Sequence, residues 1–221
     1  MDGLLMKKLA VYSLFVAALA LAATIVRDAP AADLVVPHDP SALDTPMLVS
    51  NACSKCHGAT GLSVSPIFPN LAGQQASYID GALKLFRQRG RGDPHARAFM
   101  WGIARGLSDD QIAGLAQYFA SQTPMRGAAS GNPGLAEKGK SIYENGVPDH
   151  GVIACMVCHG PNAEGQADNA FPRLAGQHRD YLALQLHYFH DLLRENEVMQ
   201  GVAASVTDDE VAAVAEYLSS K

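Results

Sequence analysis

Cys53-Ser54-Lys55-Cys56-His57-Gly58 returns about a hundred residues later as Cys155-Met156-Val157-Cys158-His159-Gly160. The residues downstream of each hexapeptide return as well. Phe68-Pro69-Asn70-Leu71-Ala72-Gly73-Gln74 matches Phe171-Pro172-Arg173-Leu174-Ala175-Gly176-Gln177, Tyr78 matches Tyr181, and Phe86 matches Phe189. Residues 100–112 align with 199–211, closing on Ser108-Asp109-Asp110-Gln111 and Thr207-Asp208-Asp209-Glu210. The order is the same in both halves, with four residues lost between the tyrosine and the methionine of the second copy. Such self-similarity means two copies of one structural unit.

Each copy reads as helical, which makes the fold class all-α. Over residues 75–89 the positions Ile79, Leu83 and Phe86 share one helical face. Ser108 with Gln111, and Thr207 with Glu210, have the capping-box spacing that opens a helix. Behind the first cap, Ile112, Leu115, Ala116 and Phe119 form an apolar stripe; behind the second, Val211, Val214, Ala215 and Leu218 do so. The second copy has a further helix before its cysteines, over 134–145. The stretch between the copies is rich in Gly, Ala, Ser and Pro, as a linker is. The organisation expected is a first domain over 46–124, a linker over 125–133 and a second domain over 134–221. A module of that size is small for a purely apolar core, and a large buried prosthetic group would supply the missing contacts.

Ahead of the first module, Lys7 and Lys8 precede an uncharged run over 9–26, and small residues follow at Ala29, Ala31 and Ala32. Residues 1–31 therefore read as an export signal, with an N-terminal anchor as the alternative because the run is just long enough to span a bilayer. Either outcome places the body on the periplasmic side, with 32–45 as a tether if the leader is retained. The composition is globular, at 48% hydrophobic and 18% charged, and a net charge of -5 gives no footprint for nucleic acid. That charge is uneven. Residues 32–124 hold seven basic and seven acidic side chains, and residues 125–221 hold seven against thirteen, a net of -6. The resulting dipole suits oriented docking; ordinary solvated surface is the plainer reading.

Cys-x-x-Cys-His is the attachment signal for c-type haem: two thiols add to the vinyl groups and the histidine is placed to bind iron from one side. Cys53, Cys56, Cys155 and Cys158 are all used in this way, so no disulfides are expected even in an exported chain. A thioredoxin-like pair would sit in a strand-to-helix context this chain lacks. A zinc site would gather its cysteines in one place, whereas these pairs are far apart in sequence, each with its own histidine. The second axial ligand is a methionine or a histidine, and methionine raises the reduction potential. Met100 and Met199 occupy equivalent places before the final helix of each copy. Met47 and Met125 have no counterpart, and Met156 lies within its own motif. None of the histidines outside the motifs recurs; His95 and His190 are the alternatives that would displace a methionine.

With these residues in view, the chain from about residue 46 onward resembles the dihaem cytochrome c4 family, two class I cytochrome c domains in tandem, each built around one covalent haem. The resemblance implies axial pairs His57 with Met100 and His159 with Met199. It implies too that the carbonyls of Pro69 and Pro172 accept a hydrogen bond from the second ring nitrogen of each ligand histidine, fixing its orientation and basicity. In that family the domains pack face to face. The second copy departs in having Leu193-Arg194 where the first has Gly90-Arg91, with a shorter loop next on the methionine side, and the resemblance does not imply equal potentials.

The expected function is a single-electron carrier with two covalently bound haem c groups, taking electrons from a quinol-oxidising complex or dehydrogenase and passing them to a terminal oxidase. An iron saturated by protein ligands has no open position for substrate, so the chain is expected to be no enzyme in itself. The alternative is a tightly bound cytochrome subunit of a periplasmic dehydrogenase. Membrane contact is expected only through the N-terminal segment or a membrane-bound partner.

Overall fold

The computed structural model describes residues 44–221; the expected export signal or anchor over 1–31, its apolar run 9–26 and the expected tether up to residue 43 lie outside the described residues. Among the described residues the regular structure is helical, with two isolated β-bridges, Val147 with Val152 and Gln166 with Phe171. None of these helices is long and apolar enough to cross a membrane.

In the first module α1 (Thr45–Leu48) opens on the side chain of Asp44, which accepts the Met47 N–H. It runs through a π turn, Val49–Cys53, straight into α2 (Ser54–His57). Then come α3 (Ala76–Arg87), α4 (Trp101–Ala104) and α5 (Asp109–Ala120). The second module has α6 (Pro133–Asn145), α7 (Met156–His159), α8 (Arg179–His190), α9 (Glu197–Ala203) and α10 (Asp208–Ser219). Here the leading helix does not run into the cysteines; a 3-10 turn, Pro148–His150, and a bridged loop intervene.

Both capping boxes form. Ser108 Oγ accepts the Gln111 N–H at 3.2 Å while Gln111 Oε1 accepts the Ser108 N–H at 3.0 Å, and Thr207 and Glu210 repeat the exchange. The stripes behind them are buried in two separate cores. Ile79, Leu83 and Phe86 meet Ile112, Leu115, Ala116 and Phe119 in the first, and Ile142, Tyr143 and Leu182 meet Val214, Tyr217 and Leu218 in the second.

The apparent departure at Gly90-Arg91 dissolves in the backbone. Two residues beyond α3 stands Arg89 at φ 58°, and two beyond α8 stands Leu192 at φ 58°, so the two modules turn alike and then present Arg91 and Arg194 at matching positions. The four-residue deletion falls after these arginines.

The stretch between the two modules is laid against the end of α10. Gly127 donates to the Lys221 carbonyl at 2.8 Å, and Ser130 Oγ donates to Glu216 Oε1 at 2.5 Å. The Ser130 hydroxyl, outweighing the cost of desolvation, and then Arg179 hold the Glu216 carboxyl below its ordinary value of 4.5. A depressed carboxyl contributes stability that is complete above its unfolded pKa and fades as pH falls through the folded one. Glu216→Gln is therefore expected to cost about 1 kcal/mol at pH 7 and progressively less below pH ~4, measured by denaturant melts of both proteins across pH.

Candidate haem sites

Each Cys-x-x-Cys-His motif closes on one helical turn, α2 or α7, and each turn ends at a glycine in the left-handed region, Gly58 at φ 76° and Gly160 at φ 82°. A Cβ on Gly58 would collide with the Leu62 carbonyl, so the chain leaves the motif by a path that only glycine takes without strain. Tyr143, wholly buried on α6, donates from its hydroxyl to the Gly160 carbonyl at 2.6 Å. The same carbonyl also takes the Ala163 N–H at 3.1 Å, so Tyr143→Phe removes one of two bonds and is expected to cost about 0.5–1.5 kcal/mol, read as a lower urea midpoint with an unchanged m-value.

None of the four thiols is in a disulfide. Cys53 and Cys155 pack against the two cores, and burial, reinforced by Cys56 and Cys158, pushes each thiol up to about 11. A dithiol redox centre works through a depressed thiol. These are shifted the other way. Among the described residues no three His, Cys, Asp or Glu side chains gather as a zinc site would require.

The histidines show what the motifs are built to hold. His57 Nδ1 lies 2.9 Å from the Pro69 carbonyl, and His159 Nδ1 lies 3.0 Å from the Pro172 carbonyl. A carbonyl oxygen only accepts, so Nδ1 carries the proton and Nε2 keeps its lone pair. Burial lowers both pKa values against the opposing carbonyl bonds, which keeps the rings neutral, as metal ligation requires. Phe68 meets the His57 ring edge-on at 6.2 Å and Phe99 at 5.2 Å; Phe171 stands 6.3 Å from His159.

Met100 ends a π turn, Ala96–Met100, and packs half-buried against the first core. Met199 sits in the first turn of α9, where its N–H is accepted by Asn196 Oδ1 at 2.9 Å. The residue after each methionine ties it to the matching arginine: Trp101 Nε1 donates to the Arg91 carbonyl at 2.8 Å and Gln200 Nε2 to the Arg194 carbonyl at 3.2 Å. His95 lies 2.7 Å from the Tyr188 hydroxyl, while His190 is exposed and bonded to Asp191.

Sequence reasoning did not find the polar cluster between the modules. Arg91, 8% exposed, pairs with the fully buried Asp93 at 2.6 Å and donates to Gln185 Oε1 at 2.7 Å. Arg194 donates to the same oxygen and to the Tyr78 hydroxyl at 2.9 Å. Burial alone would raise Tyr78, but Arg194 and then Arg91 outweigh it and hold the phenol below its ordinary value. The signal in the sequence was Tyr78, matched by Tyr181 in the repeat; the Tyr78 hydroxyl meets Arg194 of the opposite module.

The donor set fits haem c. Two thiols per module stand beside a neutral imidazole with a free Nε2, against an apolar core. Among the described residues the buried side-chain atom without a partner is Arg173 Nε, next to Pro172, a donor available to a group outside the polypeptide.

The Cytochrome c family profile matches residues 46–123 and again 136–221. Cytochrome c4 from Thiocapsa roseopersicina is 43% identical over 173 residues, 76% of this chain and 86% of that protein. The structure of cytochrome c4 from Acidithiobacillus ferrooxidans superposes with a TM-score of 0.72 at 40% identity, covering 76% of this chain and 98% of that one. A thiosulfate dehydrogenase electron acceptor from Stutzerimonas stutzeri is 35% identical over 173 residues, 76% of this chain and 78% of that protein. With its duplicated helical module, two cysteine pairs for covalent haem c and these relatives, the chain belongs to the cytochrome c family, within its dihaem cytochrome c4 group of electron-transfer proteins.

Proposed function

We propose that the protein is a periplasmic carrier of single electrons, with one haem iron held by His57 and Met100 and the other by His159 and Met199. The observation that carries this reading is the pair of buried histidines, each donating from Nδ1 to a proline carbonyl and so presenting Nε2 to a metal. Bound haem c supplies a one-electron ferric/ferrous couple. The polypeptide does the rest. Cys53, Cys56, Cys155 and Cys158 would hold the groups covalently, Pro69 and Pro172 orient the imidazoles, and Met100 and Met199 would supply the remaining iron ligands. Saturated ligation leaves substrate no site on iron, which favours electron transfer over turnover.

The donor in this reading is a quinol-oxidising complex or a dehydrogenase, and the acceptor a terminal oxidase. The similarity to a thiosulfate dehydrogenase electron acceptor supports a dehydrogenase as the donor; the second reading is a cytochrome subunit tightly bound to a periplasmic dehydrogenase. Residues 1–31 act as the export signal or anchor, 46–124 and 134–221 are the two domains, and 125–133 is the linker. Stopped-flow mixing of the oxidised protein with reduced quinol-oxidising complex, and separately with a thiosulfate dehydrogenase and its substrate, distinguishes the donors. Rapid reduction by the first supports a quinol-oxidising donor and reduction by the dehydrogenase alone a dehydrogenase donor; purification with a dehydrogenase at fixed stoichiometry supports the subunit reading over the free carrier.

A further inference from the structure

Each module contributes a buried glutamine that grips the peptide orienting the other module's histidine. The Pro69–Asn70 peptide accepts His57 Nδ1–H at its carbonyl, at 2.9 Å, and its own N–H, carried by Asn70, donates to Gln177 Oε1 at 2.8 Å. The Pro172–Arg173 peptide accepts His159 at 3.0 Å, and its N–H donates to Gln74 Oε1 at 2.7 Å. Each glutamine closes its clasp from Nε2, Gln177 onto the Asn70 carbonyl at 2.9 Å and Gln74 onto the Arg173 carbonyl at 3.0 Å. The second lone pair of each Oε1 takes the next backbone N–H of its own chain, His178 at 3.0 Å and Gln75 at 2.9 Å. Both side chains are buried, 6% exposed at Gln74 and 7% at Gln177, so water does not compete for these bonds.

Hydrogen bonds on the two sides of one peptide are not independent. Donation from the N–H pushes electron density onto the carbonyl oxygen, and such chains strengthen one another in a low-dielectric interior. A richer carbonyl draws harder on the Nδ1 proton, gives the imidazole more anionic character and makes Nε2 a stronger donor, which favours ferric over ferrous iron. The geometry points to Gln177 as a positioning residue for His57 and Gln74 as one for His159, so that each site is tuned from the opposite module. This rests on His57 and His159 being the iron ligands. The two clasps are not equal. Asn70 adds a bond from Nδ2 to the Gly176 carbonyl at 3.1 Å and accepts the Ser63 N–H at 2.9 Å.

The test is a redox titration of the full dihaem protein carrying Gln177→Leu, with the two irons tracked separately by the hyperfine-shifted proton resonances of their axial ligands. The expected result is a rise in the potential of the haem held by His57. Its reduction equilibrium should shift about threefold, roughly 30 mV at ~59 mV per tenfold for one electron, with a change at least three times smaller at the haem in Gln177's own module. Gln74→Leu should do the reverse and move the haem held by His159. Gln177→Glu keeps the acceptor oxygen and should return the His57 ring resonances toward their native positions. Should the leucine variant not fold, Gln177→Asn, polar but a methylene too short, makes the same comparison. A shift confined to the variant's own module, equal shifts at both irons, or none at either would overturn the inference. Failure of the underlying reading is distinct: the unsubstituted protein would then lack histidine resonances shifted by iron.

Discussion

Met199→His is expected to lower the potential of the second haem by on the order of 0.1 V, while the first stays within a few hundredths of a volt, by ~59 mV per tenfold. A thioether is a weak donor that favours ferrous iron, and an imidazole is a stronger one that favours ferric iron. The backbone around Met199 should survive the exchange. Its N–H is fixed by Asn196 as an ordinary N-cap contact, and Gln200 holds the next residue to the Arg194 carbonyl. The equivalent Met100→His should act on the first haem in the same direction, but less cleanly. Met100 ends a π turn and packs against the first core, so a stiffer ring disturbs more neighbours. Potentiometric titration monitored by optical spectra reads both effects, because loss of the methionine–iron charge-transfer band accompanies each drop. A potential that stays put with the band intact would mean that the substituted methionine is not a ligand.

Gly139→Ala is expected to destabilise the second module by about 3 kcal/mol or more. Helices α6 and α10 cross with Gly139 against the backbone of Ala213. A Cβ at 139 would fall far inside van der Waals contact distance of the Ala213 carbonyl oxygen and 2.9 Å from Tyr217 Cβ. Neither neighbour is a flexible side-chain end, so the helices must separate, and with them the contacts of Ile142, Tyr143, Val214 and Leu218. Gly81 is the control. It also lies within a helix, α3, but an added Cβ there meets nothing within 4 Å. Gly81→Ala should therefore stabilise by about 0.5–1 kcal/mol through helix propensity alone. Thermal melts of the two haem-loaded variants, monitored by circular dichroism, should separate them in sign as well as size. A Gly139→Ala protein as stable as the parent would rule out the close crossing.

Local chemistry made most of this architecture readable in the sequence. The capping boxes at Ser108 and Thr207 involve residues three apart, and the stripes behind them involve residues three and four apart, so a single helix suffices to specify them. His57 and His159 each have a proline carbonyl, Pro69 and Pro172, within hydrogen-bond distance of Nδ1. Residues that act across the module boundary were not readable in this way. Gln74 and Gln177 were visible as the last letter of a repeated heptapeptide, but each has its partner about a hundred residues away, in the other copy. Arg91 and Arg194 looked unlike each other because Gly90 precedes one and Leu193 the other. Their equivalence lies in the shared turn at Arg89 and Leu192, a backbone property that side-chain identity conceals. The uninterrupted run of the first module from α1 into its motif, against the interrupted path from α6 in the second, was equally hidden, since a π turn has no strong sequence signature.

A redox titration of the full haem-loaded protein, monitored together by absorption and by proton resonances in the reduced state, bears most directly on the dihaem carrier. Two one-electron steps are predicted, with a pyridine haemochrome count of two haems per chain and two sets of strongly shifted methionine methyl resonances, one from Met100 and one from Met199. A single haem per chain, or an iron lacking a bound methionine, would contradict the assignment of a saturated dihaem electron carrier.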